Sequence, residues 1–155
     1  MAPASPFSEA FVIGLGIALI GACLAIHAFF MFIVLRAHTA FLRIFPRAHG
    51  VGLIVPTTLL ATGIIAASSF VQIGAWGMVL QRLDAIHDLR DALHFSATTF
   101  TTLGTSRIEL RLPFRPLEPL EATNGLLTNG LNAAILFAIM ASLGRRHAGF
   151  DEFFR

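Results

Sequence analysis

Three long apolar stretches, set apart by two polar ones, lay out this chain of 155 residues. The first runs from about Ala10 to Leu35, the second from about Val51 to Leu80, the third from about Leu117 to Leu143. At about 1.5 Å per residue, each is long enough as a helix to cross a hydrocarbon core of about 30 Å. Three transmembrane helices are therefore expected. The polar stretch Arg36 to Gly50 holds Arg36, Arg43 and Arg47 and no acid, and is expected as a compact basic loop facing the cytoplasm. The second polar stretch is less ordinary. From Asp88 to Arg107 it reads as a short helix running into a loop rich in Thr, with Asp88 and Asp91 suited to the helix's first turn. It is too short to span, yet spans flank it. Non-helical backbone at membrane depth is tolerated only where protein encloses it or water lines it.

Smaller signals refine the spans. Gly14, Gly16 and Gly21 are expected as close-contact positions between helices. Pro56 falls in the first turns of the second span, where a missing N–H costs least. Two polar clusters interrupt that span, Thr57/Thr58/Thr62 and Ser68/Ser69/Gln72, and Trp76 near its far end suits an interfacial anchor. Gly144-Arg145-Arg146-His147 reads as a helix stop with basic residues on the cytoplasmic side, followed by a short tail from Ala148 to Arg155. In the third span Glu121, Asn124, Thr128 and Asn132 recur at steps of three, four and four, which sets them on one helical face.

Composition agrees with a membrane protein: 55% hydrophobic, only 13% charged, mean hydropathy +0.75, against about a quarter charged in soluble domains. The excess of base is scattered Arg with acids nearby, so nucleic-acid binding is not indicated. Met1 to Glu9 holds no basic residue, and no cleaved leader is expected. The lone Cys23 excludes a disulfide framework within the chain. It shares a helical face with His27; two metal ligands without further partners are few, and an interhelical hydrogen bond is expected for His27 instead. No Gly-rich phosphate loop, paired catalytic carboxylates or activated nucleophile is present, so an enzyme is not expected.

The order Ala92-Leu-His-Phe-Ser-Ala-Thr-Thr-Phe-Thr-Thr-Leu-Gly104 resembles the bacterial two-transmembrane potassium-channel family, whose members carry a pattern close to A-L-Y-F-S-x-x-T-F/Y-T-T-L-G-Y-G-D. Gln72-Ile-Gly-Ala-Trp76 is similar to the family's E-I-x-x-W. Glu121-Ala-Thr-Asn-Gly-Leu-Leu-Thr-Asn-Gly130-Leu-Asn-Ala-Ala-Ile-Leu-Phe137 is similar to its E-A-x-N-G-L-L-x-x-G-x-S-x-A-x-L-F inner helix. The resemblance covers roughly Gln72 to Leu143. It implies an all-α membrane protein with a potassium-channel-like pore domain over 51–147: outer helix 51–80, re-entrant pore helix and filter loop 88–107, inner helix 117–143. Residues 1–50 add a helix and the basic loop ahead of it; 148–155 form a tail. One chain holds one pore loop, so a homotetramer in membrane lipid is implied, in the bacterial inner membrane, with the N-terminus outside and the C-terminus in the cytoplasm. K+ or another monovalent ion would be the permeant species, with no further cofactor.

The resemblance implies an ion filter at Thr101, Thr102, Leu103, Gly104, Thr105 and Ser106. Gly104 matches the family's first filter glycine, while Thr105 replaces Tyr, Ser106 replaces the second Gly and Arg107 replaces Asp. Ser106 is therefore expected to pay for a positive φ that glycine takes freely. Arg107 and Glu109 would stand at the outer mouth, with Arg107 exposed and paired to Glu109, Asp84 or Asp88. His94 replaces an aromatic and is expected to pack. Glu121 and Asn124 are expected behind the loop; Asn129, Asn132 and Ala133 facing an inner cavity; Gly130 as a hinge or a helix contact. The altered filter leaves two other readings open: an unselective ion pore, and a non-conducting pore-like subunit with a role in assembly.

Overall fold

The computed structural model describes residues 7–45 and 51–144. Among them the fold is four helices and no strand: α1 (Glu9–Ile44), α2 (Val51–Arg82), α3 (Leu89–Phe100) and α4 (Leu117–Gly144). Helices α1, α2 and α4 are each long and apolar enough to cross a membrane. Arg47, His49, Arg145, Arg146, His147 and the tail lie outside the described residues.

Helix α1 starts where Ser8 caps it, its hydroxyl accepting from the Phe11 N–H at 3.3 Å. It does not stop at Leu35. The stretch expected as a basic loop is helical as far as Ile44, giving 36 residues and about 54 Å of helix. Falling hydropathy is not falling helicity: Ala37, Ala40, Leu42 and Arg43 are all strong helix formers. Nothing breaks the backbone before Pro46, which disfavours the helical region for Phe45; that residue sits at φ −116°, ψ 63°.

The buried positions of α1 are Val12, Gly16, Cys23, His27, Val34 and His38, an eleven-residue repeat of paired positions. That period keeps one narrow stripe facing the bundle along nearly the whole helix. Of the three glycines expected as contacts, only Gly16 is one. A Cβ there would meet Leu120 Cδ1 at 2.6 Å and Leu117 Cδ2 at 3.1 Å, whereas Gly14 and Gly21 have open space.

α1 packs on both α2 and α4, and the core divides into two clusters along the bundle. One gathers Val34, Leu53, Ala61, Ile65, Ile139 and Leu143. The other gathers Val12, Cys23, Leu80, Phe95, Leu117 and Trp76. Trp76 is thus no interfacial anchor. It is fully buried, because its face of α2 turns toward α1 and α3 rather than outward. Thr57 and Ser69 return their hydroxyls to the carbonyls one turn back, at 2.7 Å from Leu53 O and 3.3 Å from Ile65 O, which satisfies them inside an apolar helix. Pro56 lies within α2 near its start, as its place in the sequence requires. Leu126, Leu131, Phe137, Phe29 and Phe70 are among the large apolar side chains left exposed.

Candidate functional site

Helix α3 is held between α2 and α4 by three close contacts. Asp88 caps its start, accepting from the N–H groups of Arg90 at 2.8 Å and Asp91 at 3.2 Å. Near that end Gly77 of α2 meets Leu93, where a Cβ would lie 2.8 Å from Leu93 Cδ2 and 3.2 Å from its Cα. Midway, the buried Ser96 hydroxyl reaches Ile73 O at 2.8 Å and is hydrogen-bonded to Glu121 Oε1. At the far end Gly125 of α4 lies against the Phe100 backbone so closely that a Cβ would fall on its carbonyl oxygen. Both glycines let a helix axis approach α3 more closely than any side chain allows.

The end of α3 is a Schellman motif. Thr101 caps it at φ −81°, ψ 0° and Thr102 follows in the left-handed region at φ 58°. The Leu103 N–H reaches Thr98 O at 2.8 Å and the Thr102 N–H reaches Thr99 O at 2.9 Å, the 6→1 and 5→2 pair of that motif. Gly104 N–H shares Thr98 O at 3.1 Å, with Gly104 at φ 62°. The threonine hydroxyls also turn onto backbone: Thr101 to Ala97 O at 2.7 Å, Thr102 to Thr101 O at 2.7 Å, Thr98 to Phe95 O at 2.9 Å. Positive φ was expected at Gly104 and Ser106. It occurs at Gly104 and Thr102, and Ser106 is not among the positive-φ residues. The helix has to be stopped at Thr102 before the loop can run. Ser106 instead accepts from the Ile108 N–H at 3.1 Å.

Thr101 to Thr105 are exposed, Leu103 at 65%. Arg107 and Glu109 are exposed too. The pairing expected of Arg107 is not seen. Among the described residues the close contact of a carboxylate with a basic side chain is the hydrogen bond between His87 Nδ1 and Asp84 Oδ1, both on the surface. His94 is likewise exposed rather than packed, since it lies on the side of α3 away from Ala92, Phe95 and Ser96.

Behind α3 a polar network crosses three helices. Gln72 Oε1 accepts from Asn124 Nδ2 at 3.3 Å and from the Thr128 hydroxyl at 3.1 Å. Its Nε2 donates to Ser68 O and Ser68 Oγ, both at 3.4 Å. Ser68 Oγ in turn pairs with His27 Nδ1 at 3.1 Å, the interhelical bond expected for that histidine. All five side chains are buried, as is Glu121. Glu121, Asn124, Thr128 and Asn132 do share the inward face of α4. Asn132 is accordingly buried in the bundle, while Asn129, Gly130 and Ala133 are exposed on the opposite face. The three-four-four step carries Asn132 inward, so it does not stand with Asn129. Gly130 has nothing within 4 Å of a Cβ position and is no contact within the chain.

Two participants escape sequence reasoning, and the role of a third is not legible there. Gln72, singled out in a polar cluster and at the start of the outer-helix resemblance, is the hub of the network, a role its spacing of four from Ser68 only hints at. His38, expected in a loop, is buried and lies 3.4 Å from Ser142 Oγ of α4; its eleven-residue distance from His27 is the available signal. Gly77 has none.

No protein-family model, curated protein or solved structure matches the chain.

Proposed function

We propose that this chain is the pore-forming subunit of a tetrameric, potassium-channel-like ion channel in a bacterial inner membrane. Its N-terminus is outside and its C-terminus is cytoplasmic. Ions pass passively along the loop Thr101 to Ser106. The observation that carries this reading is α3 itself: a capped 12-residue helix wedged between two helices able to cross a membrane, ending in an exposed Thr- and Gly-containing loop. In hydrocarbon such backbone would be prohibitively costly unless water or other protein covered it. Four copies around an axis provide both, with carbonyl and hydroxyl oxygens replacing water around K+ or another monovalent cation. Glu121 and Asn124 then act as buttresses behind the loop. Asn129 and Gly130 lie on the face of α4 open to an inner cavity.

A second reading, a pore-like subunit that does not conduct, draws on two observations. The Leu103 and Gly104 amides and the Thr101 and Thr102 hydroxyls are engaged with the loop's own backbone or with α3, and Arg107 stands where the family has Asp. A ring of four Arg would oppose cation entry.

Flux from purified protein in liposomes, under potassium, sodium and chloride gradients, separates these readings. The comparison is the triple variant Thr105→Tyr, Ser106→Gly, Arg107→Asp. Potassium-selective flux from the unmodified protein supports a working filter. Unselective flux that becomes potassium-selective in the variant supports a live pore with a relaxed filter. Silence from both, with tetramers verified, sinks the channel reading and leaves the assembly role.

A further inference from the structure

Arginines stand at both ends of the bundle, but among the described residues the acids stand at one end only. From Ala10 to Leu83 there is no Asp or Glu. The acids among the described residues stand at the start of α1, around α3 and along the start of α4. The opposite end of the bundle joins the last turns of α1 to the first of α2 and the last of α4 through Val34, Leu53, Ile139 and Leu143. There α1 carries Arg36 and Arg43, both exposed. Seven residues apart, they lie on one face about two turns and 10 Å from each other.

Four features set this face up for a ligand. The Arg36 guanidinium lies 5.8 Å from the centroid of the Phe32 ring, a cation–π contact that holds it near the helix surface. Phe32 and Phe29, one turn apart, are 58% and 61% exposed and extend the same side of α1 as an apolar track. The other side is fixed: Val34 and His38 are buried, and His38 is bonded to Ser142. At about 54 Å, α1 also outruns a hydrocarbon core of about 30 Å, so its final turns reach headgroup level.

We propose that Arg36 and Arg43 bind the headgroup phosphate of an anionic phospholipid, whose acyl chains lie along Phe32 and Phe29. A guanidinium presents paired donors that fit phosphate oxygens two at a time. No acid among the described residues competes for them at this end. The site needs only that α1 crosses the membrane; it does not depend on ion conduction.

The test is lipid titration of the full chain in detergent, read by native mass spectrometry. Phosphatidylglycerol is compared with phosphatidylcholine of identical acyl chains. The unmodified protein retains phosphatidylglycerol preferentially. Arg36→Gln and Arg43→Gln each weaken that binding about fivefold and the pair about 25-fold, the weight of one Arg each at a charged membrane surface. Phe32→Leu weakens it as well, and Arg82→Gln, at the other end of the bundle, leaves it unchanged. Equal affinity for the two lipids overturns the proposal by itself, with no variant needed. So does an Arg82→Gln effect as large as that of Arg36→Gln. Glycerol phosphate competing at the same concentration as the lipid overturns the membrane source, because the Phe29 and Phe32 track would then contribute nothing.

Discussion

Gly125 presses its bare α-carbon against the carbonyl of Phe100, the last residue of α3. A Cβ at that position would lie 2.8 Å from the carbonyl carbon and 3.2 Å from the Phe100 Cα. The obstacle is backbone, which cannot rotate aside. The approach of α4 to the end of α3 thus depends on a missing side chain at Gly125.

Gly125→Ala should therefore destabilise the protein by about 1–3 kcal/mol, the range for overpacking a close contact. Gly130→Ala, on the same helix but with open space, should be neutral or stabilising by up to about 1 kcal/mol, because alanine is the better helix former. Thermal melts of the two variants in one detergent make the comparison. Equal losses would show that the Phe100 contact is soft.

Ser96 of α3 ties α2 and α4 to its own helix at one point, through Ile73 O and Glu121. Ser96→Ala leaves a buried carboxyl group without that hydroxyl, at a cost of about 1–3 kcal/mol. The loss should shrink when Glu121 is already replaced by Leu, since no polar group is then left unpartnered. A double-variant cycle reads this coupling. Additive losses would mean that the two side chains act independently.

Gln72→Leu removes the acceptor of Asn124 and Thr128 and the donor to Ser68 together. Interhelical bonds in membranes average about 0.6 kcal/mol each, so a loss of about 1–2 kcal/mol is expected in denaturant titrations. Ser68→Ala should cost less, because it leaves the α4 side of the network whole. The reverse order would move the hub from Gln72 to Ser68.

The two left-handed residues make a further pair. Thr102 is β-branched at φ 58°, a conformation that costs about 1–2 kcal/mol outside glycine. Thr102→Gly should raise the melting temperature, and Gly104→Ala, at φ 62°, should lower it. If Thr102→Gly instead destabilises, the strain is offset by the Thr102 hydroxyl bond to Thr101 O.

Hydropathy alone exposes the three long helices, and Asp88 marks the start of α3. The end of α1 is hidden because charge interrupts hydropathy at Arg36 without interrupting the helix. Trp76 misleads because an indole near a span's end suits an interface as well as a core; which one depends on what α2 packs against. Asn132 follows the periodicity of Glu121, Asn124 and Thr128, and that pattern outweighs its nearness to Asn129. Gly77 and Gly125 look in sequence like Gly14 and Gly21. Only the approach of a second backbone separates a contact from open space. The stopping of α3 at Thr102 is hidden for a different reason, since glycine is the usual residue there.

The stripe on α1 repeats every eleven residues, so a slide of about 16 Å along the bundle would present nearly the same surface. Val12, Cys23 and Val34 could exchange places at modest cost. Gly16 could not: in the shifted register His27 would occupy its position, driving an imidazole into Leu120 and Leu117. The glycine thus acts as a key that admits one seating of a self-similar helix, and the two histidines reach Ser68 and Ser142 only once it has turned.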